Sequence, residues 1–246
     1  MKLKELILNW EYKQIIGSAE KNIAGLHFDS RAIEADYLFI AVRGTHVDGH
    51  RFIDKATESG ATVVVVEELP EQLNKNITYI EVENSARAVG QLASQFYGNP
   101  SAQLKLVGVT GTNGKTTIAT LLYQLFSNMG YQTGLFSTID IKIGNQPIPA
   151  THTTPDAIAL NKLMRQMVDA GCEYCFMEVS SHSVDQFRIE GLLFDGGIFT
   201  NLTHDHLDYH KTFRAYLNAK KAFFEDRKST RLNSSHLLVS RMPSSA

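Results

Sequence analysis

Residues 104–129 read LKLVGVTGTNGKTTIATLLYQLFSNM, an apolar run, a glycine-rich turn and a helical pattern in immediate succession. The run from Leu104 to Thr110 is apolar enough to be expected as a buried strand. Lys115 to Met129 carries Ile118, Leu121, Leu122, Leu125 and Met129 at helical spacing, which predicts a helix with these five on one packed face. Between strand and helix, Gly108–Thr117 (GVTGTNGKTT) has what a polyphosphate needs. Glycines let backbone N–H groups turn toward phosphate oxygens, the helix N-terminus adds its dipole, Lys115 brings a cation to the β- and γ-phosphates, and Thr116 offers a hydroxyl to Mg2+. Gly111, Thr112, Asn113, Gly114, Lys115, Thr116 and Thr117 are therefore the expected ATP-binding residues. The strict G-x-x-x-x-G-K-[ST] spacing misses by one residue, since position 109 is valine and the nearest glycine is Gly108. A glycine turn with no nucleotide role is the alternative, and Lys-Thr directly after the last glycine argues against it.

Downstream the pattern repeats. A strand is expected near 133–139, then a helix capped by Asp156 with Leu160, Leu163, Met164 and Met167 on one stripe and Gly171 as its stop. Strands at 174–179 and 195–200 and a helix over 212–226 follow. Such alternation implies a parallel sheet covered by helices, with ligands at the carboxyl ends of its strands. Upstream, DYLFIAV (36–42), ATVVVVEE (61–68) and ITYIEVEN (77–84) read as strands, with helices from Arg51 and near 85–97, a mixed α/β pattern. The breakers Gly98-Asn99-Pro100-Ser101 separate the halves. The expected organisation is an N-terminal mixed α/β domain over 1–100, a parallel-sheet phosphate-loop domain over 101–226 that is incomplete, and a tail over 227–246. The tail, RKSTRLNSSHLLVSRMPSSA, is rich in Ser and Arg with weak periodicity and is read as a foreign extension.

The 246 residues, 43% hydrophobic, suffice for two cores. A net charge of -2 with mixed signs offers no field for nucleic acid or an anionic membrane, so an anionic partner must be bound locally. No apolar run approaches the roughly 20 residues of a membrane span, and the start has too short an apolar stretch for a secretion signal, so a cytoplasmic protein is expected. Cys172 and Cys175 form a C-x-x-C. Cys172 follows a helix end rather than opening a helix, so reduced structural thiols are expected, not a redox pair.

The variant TGTNGKTT resembles the Mur ligase family, which uses ATP to join an amino acid to a UDP-linked muramyl peptide. FDSR (28–31), GTHVDGH (44–50), THTTP (151–155), MEVSSHSVDQFR (177–188), FTNLTHDHLDYH (199–210) and YLNAKKAFF (216–224) extend the resemblance from about residue 20 to 226. Together they look like the branch that extends UDP-N-acetylmuramoyl-L-alanyl-D-glutamate by a diamino acid. The resemblance implies that ATP phosphorylates the glutamyl γ-carboxylate, and that the amine of meso-diaminopimelate or lysine attacks the acyl phosphate. It also implies a third domain that this chain lacks. An inactive fragment that only binds nucleotide or UDP-substrate is therefore a second reading. A folylpolyglutamate synthetase, which shares the T-G-T-N-G-K loop, is a third, opposed by the hundred residues ahead of the loop.

The residues divide accordingly. Glu178 ends a strand, where its carboxylate can hold Mg2+ or merely accept from a helix start. The resemblance gives the metal role to Glu178 and to His206 of the D-H-x-D segment, beside Thr116. His206 and His210, at i and i+4, would suit zinc, but no further His/Cys spacing supports it, and the phosphate loop calls for magnesium. His204 and His210 are read as loop histidines. A helical lysine is ordinarily a solvated charge; by resemblance Lys220 is carbamylated and serves a second magnesium, while Lys221, about 100° round the helix, faces solvent. Phe28, Ser30, Thr45, His46 and Val47 are implied to hold the UDP part, and Thr153, Thr154, Ser180, Gln186 and Arg188 the muramyl peptide. Arg188, a planar cation, suits a carboxylate or phosphate, with a surface ion pair as its alternative. The catalytic set is Lys115, Glu178, His206 and Lys220, and a monomer is expected.

Overall fold

A computed structural model of the chain describes residues 1–44, 47–149, 155–203, 209 and 211–225. The first half runs α1 (Leu3–Leu6), β1 (Gln14–Ile16), β2 (Gly25–His27), β3 (Tyr37–Ile40), α2 (Ile53–Glu58), β4 (Ala61–Val66), β5 (Thr78–Glu81) and α3 (Ser85–Phe96). Its strands form one sheet in the order β1-β5-β4-β3-β2, parallel except where β1 meets β5. The uninterrupted valines of β4 divide by parity. Val63 and Val65 join Leu38, Ile40 and Ile80 beneath α1 and α3, whereas Val64 and Val66 join Phe39 and Tyr79 beneath α2. A strand covered on both faces has no polar alternation to show, which is why this run reads as continuous hydrophobicity.

The second half runs β6 (Lys105–Thr110), α4 (Lys115–Asn128), β7 (Thr133–Phe136), β8 (Asp140–Ile143), β9 (Gln146–Pro149), α5 (Ala157–Asp169), β10 (Tyr174–Glu178), α6 (Ser181–Asp185), β11 (Gly196–Phe199) and α7 (Phe213–Glu225). The sheet order is β11-β6-β10-β7-β8-β9. The first four strands are parallel, as the alternating pattern predicts. The antiparallel hairpin β8–β9 is an addition that the sequence reading does not place. One face carries Leu106, Cys175, Met177 and Val179 against α5 and α7, and the other carries Val109, Leu135 and Phe176 against α4.

Helix α5 matches its expectation. The Asp156 carboxylate accepts from the Ile158 and Ala159 N–H groups, Leu160, Met164 and Met167 are buried, and Gly171 (φ 77°) ends the segment in the left-handed region. Helix α4 does not match. Ala119 and Tyr123 are its buried residues, flanked by Ile118, Leu122 and Phe126, while Leu121 (57% exposed), Leu125 (54%) and Met129 (60%) face outward. The expected face is turned by about one residue row. Ala119 lets the helix approach the sheet closely, and the Tyr123 hydroxyl donates to the Gly144 carbonyl (2.9 Å) under the hairpin that the sequence reading lacks. Both cysteines are buried and unbridged, and burial raises both thiol pKa values, which leaves them as packing groups. No helix of the described residues is long and apolar enough to cross a membrane.

The two sheets meet through helices. Helix α3 packs on α5, and Ala157 and Ile158 of α5 bury into the core of the first sheet.

Candidate functional site

The carboxyl ends of β6, β7, β10 and β11 lie side by side, and each contributes a polar segment. After β6 the chain turns through Gly111 (φ 147°) and Gly114 (φ 82°) into α4. A Cβ on Gly111 would stand 1.9 Å from the Thr200 Oγ1, so the turn needs glycine for space as well as for its backbone angle. The segment after β11 clamps the loop. The Thr112 N–H donates to the Asn201 carbonyl (2.9 Å), the Asn113 N–H to Asn201 Oδ1 (2.9 Å), and the Thr200 hydroxyl to the Asn113 carbonyl (2.6 Å). Inside the curve the Lys115 ammonium donates to the Gly111 (3.0 Å) and Thr112 (2.8 Å) carbonyls. Asn113, Gly114 and Thr117 are exposed, and Lys115 and Thr116 are half-buried.

Glu178, 1% exposed, ends β10 beside this loop. Its Oε1 accepts from the Thr138 N–H (2.8 Å) and the Thr138 hydroxyl (3.0 Å), and that hydroxyl is 3.0 Å from the Thr116 hydroxyl. The sequence-predicted pair Thr116 and Glu178 is thus joined through Thr138, a residue sequence reasoning missed. Its signal was its place just after β7, at the same sheet edge. A buried carboxylate among hydroxyls is a hard-oxygen donor set that fits Mg2+. Among the described residues no group of three or more His, Cys, Asp or Glu could hold a metal, and His206, the other implied ligand, lies outside the described residues with His204 and His210.

Lys220 is buried (2%) on α7, its ammonium 4.6 Å from the ring centre of the fully buried Tyr216, while Lys221 is exposed. The Tyr216 hydroxyl lies 2.9 Å from Thr112 Oγ1, which ties α7 to the phosphate loop and adds a second residue the sequence did not single out.

The expected substrate residues separate. Phe28, Gln186 and Arg188 line one cleft of about 390 Å3 with Val42, Asp156 and Phe187, so both halves of the chain contribute to it. Arg188 donates to Gln186 Oε1 (2.7 Å), and Gln186 donates to the Tyr209 hydroxyl (3.2 Å). Ser180 caps α6, its hydroxyl accepting from the Ser183 N–H (3.0 Å). Ser30 is buried in a short turn capped by Asp29, and Val47 is 53% exposed with its carbonyl accepting from the Gly44 N–H. Thr45, His46, Thr153 and Thr154 lie outside the described residues. Around the 43–50 segment, Arg43 pairs with Asp48, Glu67 and Glu68. His50 bridges the Asp48 carboxylate (2.6 Å) to the Glu67 N–H, which donates to Nε2 (3.0 Å).

Comparison with known proteins agrees with this geometry. The Mur ligase middle domain matches residues 109–237, and the Mur ligase family catalytic domain matches 22–97. The chain is 59% identical over 225 residues to the UDP-N-acetylmuramoyl-L-alanyl-D-glutamate--2,6-diaminopimelate ligase of Phocaeicola vulgatus, covering 92% of this chain and 46% of that protein. It is 57% identical over 226 residues to the ligase of the same name from Bacteroides thetaiotaomicron. A solved structure of a UDP-N-acetylmuramoyl-L-alanyl-D-glutamate--2,6-diaminopimelate ligase superposes with a TM-score of 0.76 at 26% identity, over 91% of this chain and 45% of that one. The chain therefore spans about half the length of the curated relatives it matches. A phosphate loop braced by a neighbouring strand end, a buried glutamate beside it and two matched domains together place this chain in the Mur ligase family.

Proposed function

We propose that the chain carries the nucleotide site and much of the UDP-substrate site of a ligase that adds 2,6-diaminopimelate to UDP-N-acetylmuramoyl-L-alanyl-D-glutamate in peptidoglycan synthesis. The observation that carries it is the hydrogen-bonded line from the half-buried Thr116 through Thr138 to the buried Glu178, at the sheet edge where Lys115 closes the phosphate loop. The relatives' printed names favour diaminopimelate over lysine, the alternative that the sequence leaves open.

In this reading the first sheet, with Phe28, Ser30, Thr45, His46 and Val47, belongs to the UDP-binding domain, and the second sheet to the ATP-binding domain. The loop N–H groups and Lys115 bind the β- and γ-phosphates of ATP and offset charge as the γ-phosphoryl group transfers. Thr116, Glu178 and His206 would hold magnesium, which when bound supplies charge neutralisation between nucleotide and carboxylate substrate. Lys220, buried one helical turn from Tyr216, is assigned as the carbamylated lysine. Thr153, Thr154, Ser180, Gln186 and Arg188 grip the muramyl peptide, with Arg188 pairing to an anionic group. The site lies inside a cell, and the chain acts as a monomer.

The half-length coverage favours a second reading for this chain alone, a fragment that binds ATP and UDP-substrate without turnover. ADP release that requires both the UDP-muramyl dipeptide and diaminopimelate supports the ligase reading. Binding of both ligands with no ADP release supports the fragment, and no binding of ATP with magnesium at millimolar concentration removes both.

A further inference from the structure

Between Gln186 and Arg188 the backbone takes a conformation that its residue does not favour. Phe187 has φ 55°, in the left-handed region, which for a bulky side chain is an outlier held only by its surroundings. Those surroundings come from the other half of the molecule. The Arg87 guanidinium lies 5.1 Å from the centre of the Phe187 ring, and its Nε is 3.8 Å from Glu190 Oε2. The Gln91 amide donates to Glu190 Oε1 (3.1 Å), and Trp10 Nε1 donates to Gln91 Oε1 (2.7 Å). The Ser94 hydroxyl donates to the Gly191 carbonyl (3.0 Å). A Cβ on Gly90 would stand 2.5 Å from the Glu190 carbonyl oxygen, so glycine lets α3 and the 187–191 turn touch backbone to backbone.

Arg87 is also a local misfit. It is the third residue of α3, where the helix dipole disfavours a cation, and Asn84 already caps its N–H. A cation placed against the dipole and over the ring of a residue with a left-handed backbone, between a helix of one sheet and a loop of the other, breaks local preference for a tertiary purpose. Phe187 lines two clefts, the one containing Phe28, Gln186 and Arg188 and the groove lined by Arg87 and Gln91.

We propose that Arg87 is a positioning residue for UDP-substrate binding: through Phe187 and Glu190 it holds the left-handed turn that sets Gln186 and Arg188 into the cleft with Phe28. The proposal rests on the reading of that cleft as the substrate site. Arg87 acts by keeping neighbours in place across the junction of the two sheets.

The test compares the 246-residue chain with Arg87→Met, Arg87→Lys and Phe187→Gly, measuring by calorimetry the affinity for UDP-N-acetylmuramoyl-L-alanyl-D-glutamate and, separately, for ATP with magnesium. Arg87→Met is expected to weaken the UDP-substrate about tenfold, on the scale of a cation–π contact plus a charge-assisted pair, and to leave ATP affinity and the thermal midpoint in place. Arg87→Lys keeps the cation and recovers most of the loss, a rescue that a purely packing role would not give. Phe187→Gly accepts φ 55° without strain but has no ring to hold, so Arg87→Met added to it costs less than in the parent chain, leaving only the part that acts through Glu190. Amide exchange at Arg188, Glu190 and Leu192, which donate to the Ser183, Phe187 and Ile189 carbonyls, speeds up in Arg87→Met while that of β6 does not. Unchanged substrate affinity in Arg87→Met, or equal losses for both ligands, overturns the positioning role alone. Failure of the parent chain to bind UDP-substrate overturns the cleft reading and the proposal with it.

Discussion

The two sheets are built alike and used differently. Each has a parallel centre covered by helices on both faces, but the first fills its interior with Val63–Val66, Leu38, Ile40 and Leu92 and keeps its ion pairs, Arg43 with Glu67 and Glu68, at the rim. The second buries Glu178 and Lys220 almost completely near its carboxyl edge. Burying a carboxylate or an ammonium costs free energy that neighbouring groups must offset, as the Thr138 N–H and hydroxyl do for Glu178, and buried ionisable groups held in this way are concentrated at functional sites. The first sheet should therefore govern stability and the second ATP binding.

The sharpest way to break that contrast is a cavity in the first sheet. Leu92→Ala, at a fully buried position, should cost about 3 kcal/mol in denaturant unfolding and leave ATP affinity as it was. A matching loss of ATP binding would show that the halves are not separable in function. On the other side, Lys115→Met should weaken ATP about 100-fold by calorimetry, roughly 2.7 kcal/mol, with little change in the unfolding midpoint. Glu178→Gln keeps an oxygen for the Thr138 donors and removes the charge. Its expected effect is about tenfold weaker binding of ATP in magnesium and no loss in magnesium-free buffer, read from paired titrations.

The smallest effect belongs to the rim of the first sheet. The Arg31 guanidinium beside Asp29 holds that carboxyl down at about 2, below its ordinary 3.8. A lowered folded-state value means the contribution is whole above about pH 4 and lost as pH falls through about 2. Arg31→Ala should therefore lower the thermal midpoint by about a degree or two at pH 5 and by much less near pH 2. A gap that widened on acidification would contradict this.

Much of the architecture was legible because local patterns had one interpretation. The valine run of β4, the Asp156 cap, the Gly171 stop and the glycine turn before Lys115 each specify backbone directly, and each stands where it was read. The packed face of α4 was not legible. Its apolar residues, Ile118, Leu121, Leu122, Leu125, Phe126 and Met129, cover too wide an arc for periodicity to select among them, and the neighbouring sheet and hairpin made the choice.

The candidate site divides in the same way. Sequence alone determined that a strand, a glycine-rich turn and a lysine-bearing helix make a phosphate loop, since backbone angle and charge at adjacent positions suffice for that. Tertiary structure alone decided that Thr138 joins Thr116 to Glu178, that Tyr216 ties α7 to Thr112, and that Arg87 braces Phe187 from a hundred residues away. Such partners share no spacing along the chain. They are brought together by which strands pair and which helices pack, and that is settled by burial summed over the whole molecule.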